Sequence, residues 1–193
     1  MDITESLFSL LSSPIVWVFI VVIYTLKKGI YFVPQNRGYV IYTMGKYYKT
    51  LSAGLNFIVP FIQTVAADRN LKEQSLEITS QSAITKDNIT LNIDGILFMK
   101  VTDAAAATNN ITDYKSSVTQ LAMTTMRNAI GSLELDECFQ NRDAINAQIL
   151  NAMTEATSPW GVMVTRYEIK DINPPQSIRE DMEKQMTAER EKR

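Results

Sequence analysis

The pattern of hydrophobic and polar positions changes character along the chain. Ser6 to Leu26 is a run of 21 residues without a charge, built around "SSPIVWVFIVVIYTLKK". As a helix it measures about 31 Å, against a hydrocarbon core of about 30 Å. Ser13 followed by Pro14 also reads as a helix start, which leaves Pro14–Leu26 too short to span upright. A kinked span and a re-entrant segment dipping into one leaflet both stay open, with the span as the expectation. A cleavable leader is not expected, because the front lacks positive charge and the apolar run has no small-residue cleavage site after it.

After "FVPQNRG" the pattern becomes β. "GYVIYTMG" (Gly38–Gly45) is a short strand ended by glycine, with "KYYKTL" directly after it. "GLNFIVPFI" (Gly54–Ile62) is apolar but carries Pro60, so it makes a poor central strand. It is either core or an apolar tip touching a bilayer. In "NITLNIDGILFMKV", Ile89, Leu91, Ile93, Gly95, Leu97, Met99 and Val101 share one face, and Thr90, Asn92, Asp94 and Lys100 share the other. The turn chemistry of "TKDN" predicts a hairpin with "SLEITSQSAIT".

Helical spacing comes next. Tyr114, Val118, Leu121, Thr125 and Ala129 predict one helix, capped by Thr112. Ile145, Ile149, Met153 and Ala156 predict another, stopped by Ser158, Pro159 and Gly161. "VMVTRYEIKDI" returns to strand, and Pro174–Pro175 closes that region. In "SIREDMEKQMTAEREKR" a thin stripe of Ile178, Met182 and Met186 runs through charged residues, with i,i+4 pairs from Glu180 to Lys184 and from Glu189 to Arg193. Such a stripe needs a partner helix, and the pattern reaches the last residue without a breaker.

Composition narrows the chemistry. The chain of 193 residues has no histidine and one cysteine, Cys138. Ser-His-Asp and Cys-His nucleophile systems, histidine-ligated zinc and an internal disulfide are therefore excluded. No phosphate-binding or dinucleotide glycine pattern is present, and "ELDE" reads as a solvated acidic face. Charge is uneven: no acid lies between Glu5 and Asp68, whereas Lys27, Lys28, Arg37, Lys46 and Lys49 do. From Asp68 onward the balance is 14 basic against 19 acidic residues. A basic collar beside an apolar run suits anionic lipid head groups and puts the bulk of the chain on the cytoplasmic side. Nucleic-acid binding finds no support, because the only basic cluster flanks that run.

Taken in order, "VPQ" (33–35), "GLNFIVPF" (54–61), "QSAITKDNITLNIDG" (81–95), "VTQLAMTTMR" (118–127), "LELDECF" (133–139), "SPWGVMVTRYEIKDINPP" (158–175) and "MTAEREKR" (186–193) resemble the SPFH or Band 7 family of stomatin, prohibitin, flotillin and HflK/C. The likeness is strongest to the paraslipin or stomatin-like branch that includes bacterial QmcA. Three positions depart from the family pattern: "YTMGK" in the first strand, Ala104 after Asp103, and "SAGL" before the apolar run.

The resemblance implies an α+β chain with four parts. Residues 1–29 would form an N-terminal membrane helix, 30–87 a membrane-apposed β-rich module and 88–175 a second, αβ module. Residues 176–193 would begin a long coiled-coil helix, cut short here. It implies no enzyme and no cofactor or metal. It implies a single-pass scaffold in a bacterial inner or plasma membrane, assembled as a large homo-oligomer around a patch of bilayer. The alternative is an adaptor that holds a membrane protease or another membrane-protein client, and a membrane-anchored hydrolase is a remote third. On this reading Trp17, Phe19, Tyr24, Phe57, Ile58 and Phe61 contact lipid, and Lys27, Lys28 and Arg37 meet head groups. Ile178, Met182 and Met186 pair helices between copies.

Overall fold

The computed structural model describes residues 27–176 together with Trp17, Tyr24, Ile178 and Arg179. Strands and helices are both present, as in an α+β chain, and there are two compact units, Met1–Leu71 and Lys72–Arg193.

In the first unit, β1 (Ile30–Val33) pairs antiparallel with β4 (Gly54–Phe57), and β2 (Arg37–Thr43) lies between β3 (Lys46–Leu51) and β5 (Gln63–Asn70). The β2–β3 hairpin closes at Met44 and Gly45, whose φ angles are 50° and 83°. A two-residue turn of this hand needs both residues in the left-handed region, which suits glycine and not methionine. "GLNFIVPFI" divides as its proline predicts: only Gly54–Phe57 is strand, and Pro60 falls in the turn after it. The core is small. Val33, Ile41, Leu51 and Ile58 are buried together, with Tyr31, Tyr39 and Val65 packed against them.

In the second unit, β7 (Thr90–Val101) is the middle strand between β6 (Gln74–Ile84) and β8 (Val162–Asn173). The predicted hairpin forms, with Ile84 opposite Thr90 and Asn88 at φ 65° in the turn. A module boundary at 87/88 would cut this ladder; β6 instead belongs with β7 and β8, and the units divide between Leu71 and Lys72. Strand β7 alternates as its sequence does, burying Leu91, Ile93, Leu97, Met99 and Val101. Helices α1 (Ala106–Asn109), α2 (Tyr114–Gly131), α3 (Leu135–Gln140) and α4 (Arg142–Thr157) connect β7 to β8; α2 packs on β6, α4 on β8, and the two against each other. A short 3-10 turn over Ser158–Trp160, then Gly161 at φ 65°, ends the helical layer where the sequence predicts a stop.

Several details differ from expectation. The cap of α2 is Asp113, not Thr112; its carboxylate accepts from the N–H groups of Lys115 and Ser116 at 3.0 and 3.3 Å. The buried stripe of α2 runs Tyr114, Val118, Ala122, Met126, Ala129 and Ile130, which leaves Leu121 and Thr125 on its half-buried border. Ala122 is fully buried in that stripe, and a reading weighted by side-chain size passes over it. Helix α3 lies in the stretch read as an acidic face. Glu134 and Glu137 form a reciprocal capping box, and Asp136 and Glu137 in its first turn face the positive end of the helix dipole.

The β6–β7 turn clamps α3. The Lys86 N–H donates to Leu133 O at 2.8 Å, and the Asp87 carboxylate accepts from the Thr85 hydroxyl and, at 3.3 Å, from the Leu135 N–H. The Thr85 bond foremost, with the Leu135 N–H adding to it, holds the Asp87 carboxyl below the usual carboxylate range. Two irregularities meet at one level of the sheet. Strand β6 sets two residues, Thr79 and Ser80, against the single Asp94 between Ile78 and Gln81, and β8 carries Lys170 as an extra residue between Ile169 and Asp171; both lie beside Asp94–Gly95.

Candidate functional site

The first unit carries an unusual surface, and strand period builds it. In the β1–β4 ribbon Ile30 lies opposite Phe57 and Phe32 opposite Leu55, so these four side chains share one face; all four are exposed. The alternate residues Tyr31 and Val33 turn the other way, into the core. A polar face would be the ordinary outcome for the solvent side of such a ribbon.

The turn after β4 extends the surface. The Ile58 N–H donates to Gly29 O at 2.8 Å, and the Gln63 N–H donates to Val59 O at 3.0 Å. The Gln63 side-chain oxygen accepts from the Val59 N–H at 2.8 Å. Between these anchors Phe61 has φ 73° and is 77% exposed, flanked by exposed Val59 and Ile62. For a bulky L-residue this is a strained conformation, costing about 1–2 kcal/mol. The Met44 N–H donates to Ile62 O at 3.1 Å, which ties the β2–β3 hairpin tip to this turn. Met44 is 89% exposed. Two backbone tips, both in left-handed conformations, thus present apolar side chains at one end of the unit.

Three lysines lie at the same end. Lys27 and Lys28 are exposed and directly precede Gly29, and Lys46 opens β3 beside the hairpin tip. Lys28 Nζ stands 5.0 Å from the centroid of the exposed Tyr24 ring. Lys49 Nζ stands 5.7 Å from that of Tyr48, which is also exposed. Lysine beside tyrosine is the residue pair of a membrane–water interface.

Not every residue expected at lipid is placed to reach it. Phe57 and Phe61 are exposed, as is Trp17, but Ile58 is only 7% exposed and belongs to the core. Successive residues of an extended chain point to opposite sides, so Phe57 and Ile58 cannot both face outward. Arg37 is also displaced from the role expected of it. It forms an ion pair with Asp68 at the far end of β2, about 20 Å along the strand from the Met44 tip. Phe19, Met182 and Met186 lie outside the described residues. Ile178 is helical and half-buried, with its N–H donating to Pro175 O at 3.1 Å. The uncharged run 6–26 lies outside the described residues except for Trp17 and Tyr24. Among the described residues no helix is long and apolar enough to cross a membrane.

Sequence reasoning missed Ile30, Phe32 and Met44, and took Leu55, Val59 and Ile62 only as members of a run that was either core or an apolar tip. A signal existed for some of them: "IYFV" and "GLNF" alternate, and pairing their outward sets needs only the register. Met44 had a weaker one, as a methionine in the slot before glycine where a hairpin turn favours asparagine or aspartate.

Burial first, then the nearby Asp87 and Glu137 carboxylates, pushes the Cys138 thiol up to about 11. Among the described residues, no group of acidic or cysteine side chains is arranged to hold a metal ion.

The SPFH domain / Band 7 family profile matches residues 31–193. Stomatin-like protein stl-1 of Caenorhabditis elegans is 44% identical over 162 residues, which is 84% of this chain and 50% of that protein. The mitochondrial stomatin-like protein 2 of Homo sapiens is 42% identical over 162 residues, 84% of this chain and 46% of its own length. An uncharacterised protein of Mycobacterium bovis is 43% identical over 171 residues, 89% of this chain and 45% of that one. The chain thus spans about half the length of the curated relatives it matches.

Proposed function

Since the chain belongs to the SPFH domain / Band 7 family, we propose that it is a membrane-associated scaffold of the stomatin-like kind, with the bilayer itself as its object. One observation carries this reading: the apolar end of the first unit. There Phe57, Val59, Phe61, Ile62 and Met44 are exposed together beside Lys27, Lys28 and Lys46. A strained, exposed phenylalanine and an exposed methionine at a hairpin tip give the isolated unit no stability. Inserted below the head groups they would each gain about 1.5–3 kcal/mol of apolar transfer.

In the proposed arrangement the run 6–26 anchors each copy, and the apolar end dips into the adjoining leaflet with lysines at phosphate level. The helical segment that begins after Pro174–Pro175 joins copies laterally into a closed homo-oligomer enclosing a membrane patch. Closure requires a heterologous contact that rotates shut, and many weak contacts on one rigid ring bind a bilayer collectively. The function is binding and organisation, without catalysis.

The test is the particle mass and shape of the full-length protein in mild detergent, by light scattering and electron microscopy. Closed rings or cages of many copies are expected. A monomer or small dimer would overturn the enclosure, and a stoichiometric membrane-protein partner in such a small particle would favour the adaptor that holds a membrane protease or transporter.

A further inference from the structure

Burial separates Met44 from the other methionines of the chain. Among the described residues Met99, Met126 and Met153 are fully buried and Met123 is half-buried. Met163 and Met44 are exposed, Met44 the more so. Met44 stands at the β2–β3 hairpin tip with φ 50°, in a slot where a polar turn residue is the ordinary occupant. What methionine brings there is an unbranched apolar side chain whose sulfur can be oxidised and restored. Leucine would supply the first property without the second.

The surroundings give that chemistry a consequence. The Met44 N–H donates to Ile62 O at 3.1 Å, so lifting the hairpin tip also draws on the turn that carries Phe61. A peroxide transfers one oxygen to the Met44 Sδ. The O–O bond breaks, an S–O bond forms, the thioether gives up two electrons, and the second oxygen of hydrogen peroxide leaves as water. The sulfoxide is a strong hydrogen-bond acceptor, and hydrocarbon holds no donor for it. A sulfoxide reductase reverses the step: two thiols become a disulfide and the oxygen leaves as water.

Resting on the membrane contact proposed above, we propose that Met44 is a reversible oxidation site. Its conversion by a peroxide lifts Met44 and Phe61 out of the leaflet, and its reduction restores the contact.

The test uses the full chain. Hydrogen peroxide is applied in mild detergent, conversion at each methionine is followed by peptide mass spectrometry, and the protein is reconstituted into proteoliposomes containing anionic lipid. Hydroxyl-radical labelling of Phe57 and Phe61 is then read. Met44 should convert ahead of Met99, Met126 and Met153, and both phenylalanines should label more strongly as the contact equilibrium falls about tenfold. Met44→Gln, which imitates the sulfoxide without oxidant, should raise the labelling equally. Peroxide-treated Met44→Leu should keep the labelling of the untreated parent, and sulfoxide reductase should return the oxidised parent to it. A Met44 thioether that survives the peroxide would overturn the proposal, as would Phe61 labelling that neither oxidation nor Met44→Gln moves. An equal rise in peroxide-treated Met44→Leu would also overturn it, by placing the sensitive sulfur elsewhere. If Phe57 and Phe61 of the untreated parent label in proteoliposomes as they do in denaturant, the membrane contact itself is absent and the proposal falls with it.

Discussion

The Tyr167 hydroxyl lies against Gly95: a Cβ added at that glycine would stand 2.7 Å from the phenol oxygen and 3.0 Å from Glu168 O. Tyr167 is 1% exposed, and its hydroxyl finds no hydrogen-bond partner among the described residues. Burial first, with Asp94 adding, raises its pKa and keeps it protonated. The notch at Gly95 is thus filled by a side chain from the next strand. Gly95→Ala should cost about 1–3 kcal/mol in chemical unfolding, the range for forcing a methyl group into a packed core. Tyr167→Phe should leave stability unchanged or raise it, and the double variant should recover part of the loss; an additive double variant would show that the two residues are not coupled.

Gly161 should be less tolerant still. It sits at φ 65°, and a Cβ there would meet Asp103 O at 2.6 Å and Ala106 Cβ at 2.8 Å. Its carbonyl also accepts from the Thr102 and Asp103 N–H groups at 2.9 and 3.1 Å. Backbone strain and overpacking act together, so Gly161→Ala should lose at least about 2 kcal/mol by denaturant titration.

Phe61→Gly should separate stability from membrane contact. Relieving the left-handed phenylalanine should hold or raise the unfolding free energy, by up to about 1 kcal/mol against the extra freedom of the unfolded chain. In proteoliposomes containing anionic lipid, hydroxyl-radical footprinting of Phe57 and Met44 should increase in the same variant. A destabilised variant with an unchanged footprint would mean that Phe61 serves the fold and not the bilayer.

The Asp87 clamp predicts a dependence on acid. Its folded pKa lies below the unfolded value, so its contribution is present above the unfolded pKa and is lost as pH falls through the folded one. Asp87→Asn should therefore lower the thermal midpoint at neutral pH, and the gap from the parent protein should close as the pH falls below the ordinary carboxylate range.

Cys138 titrates with the opposite sign. Its folded pKa of about 11 stands above the reference of 9.0, so its contribution is complete below pH 9 and is lost as pH rises towards 11. The buried thiol should resist a disulfide reagent at pH 8 in the native protein and react at once in denaturant.

Whether a feature is legible in the sequence depends on how local it is. The alternation of β7, the "TKDN" hairpin, the stop at Pro159–Gly161 and the proline-limited β4 come from period and turn chemistry within a few residues. The pairing of Phe32 with Leu55, the tie from Met44 to Ile62 and the Gly95–Tyr167 notch need strand register, which no single segment carries. Ile58 shows the limit most clearly. An apolar run names its members together, but the pleat sends Phe57 to one side and Ile58 to the other. Arg37 misleads for a similar reason: closeness in sequence to Lys27 and Lys28 says nothing of the opposite end of a strand, where Asp68 waits.

The tie between the hairpin tip and the turn after β4 has a practical corollary for handling the protein. The apolar end is braced by backbone hydrogen bonds at both tips, which hold these residues at the surface in water. Surfactant should therefore coat this end in addition to any coat on the leading hydrophobic run, and removing that run should not yield a freely water-soluble product. Preparations stripped of amphiphile should instead stick end to end through Met44 and Phe61, and the clumps should disperse when micelles are restored.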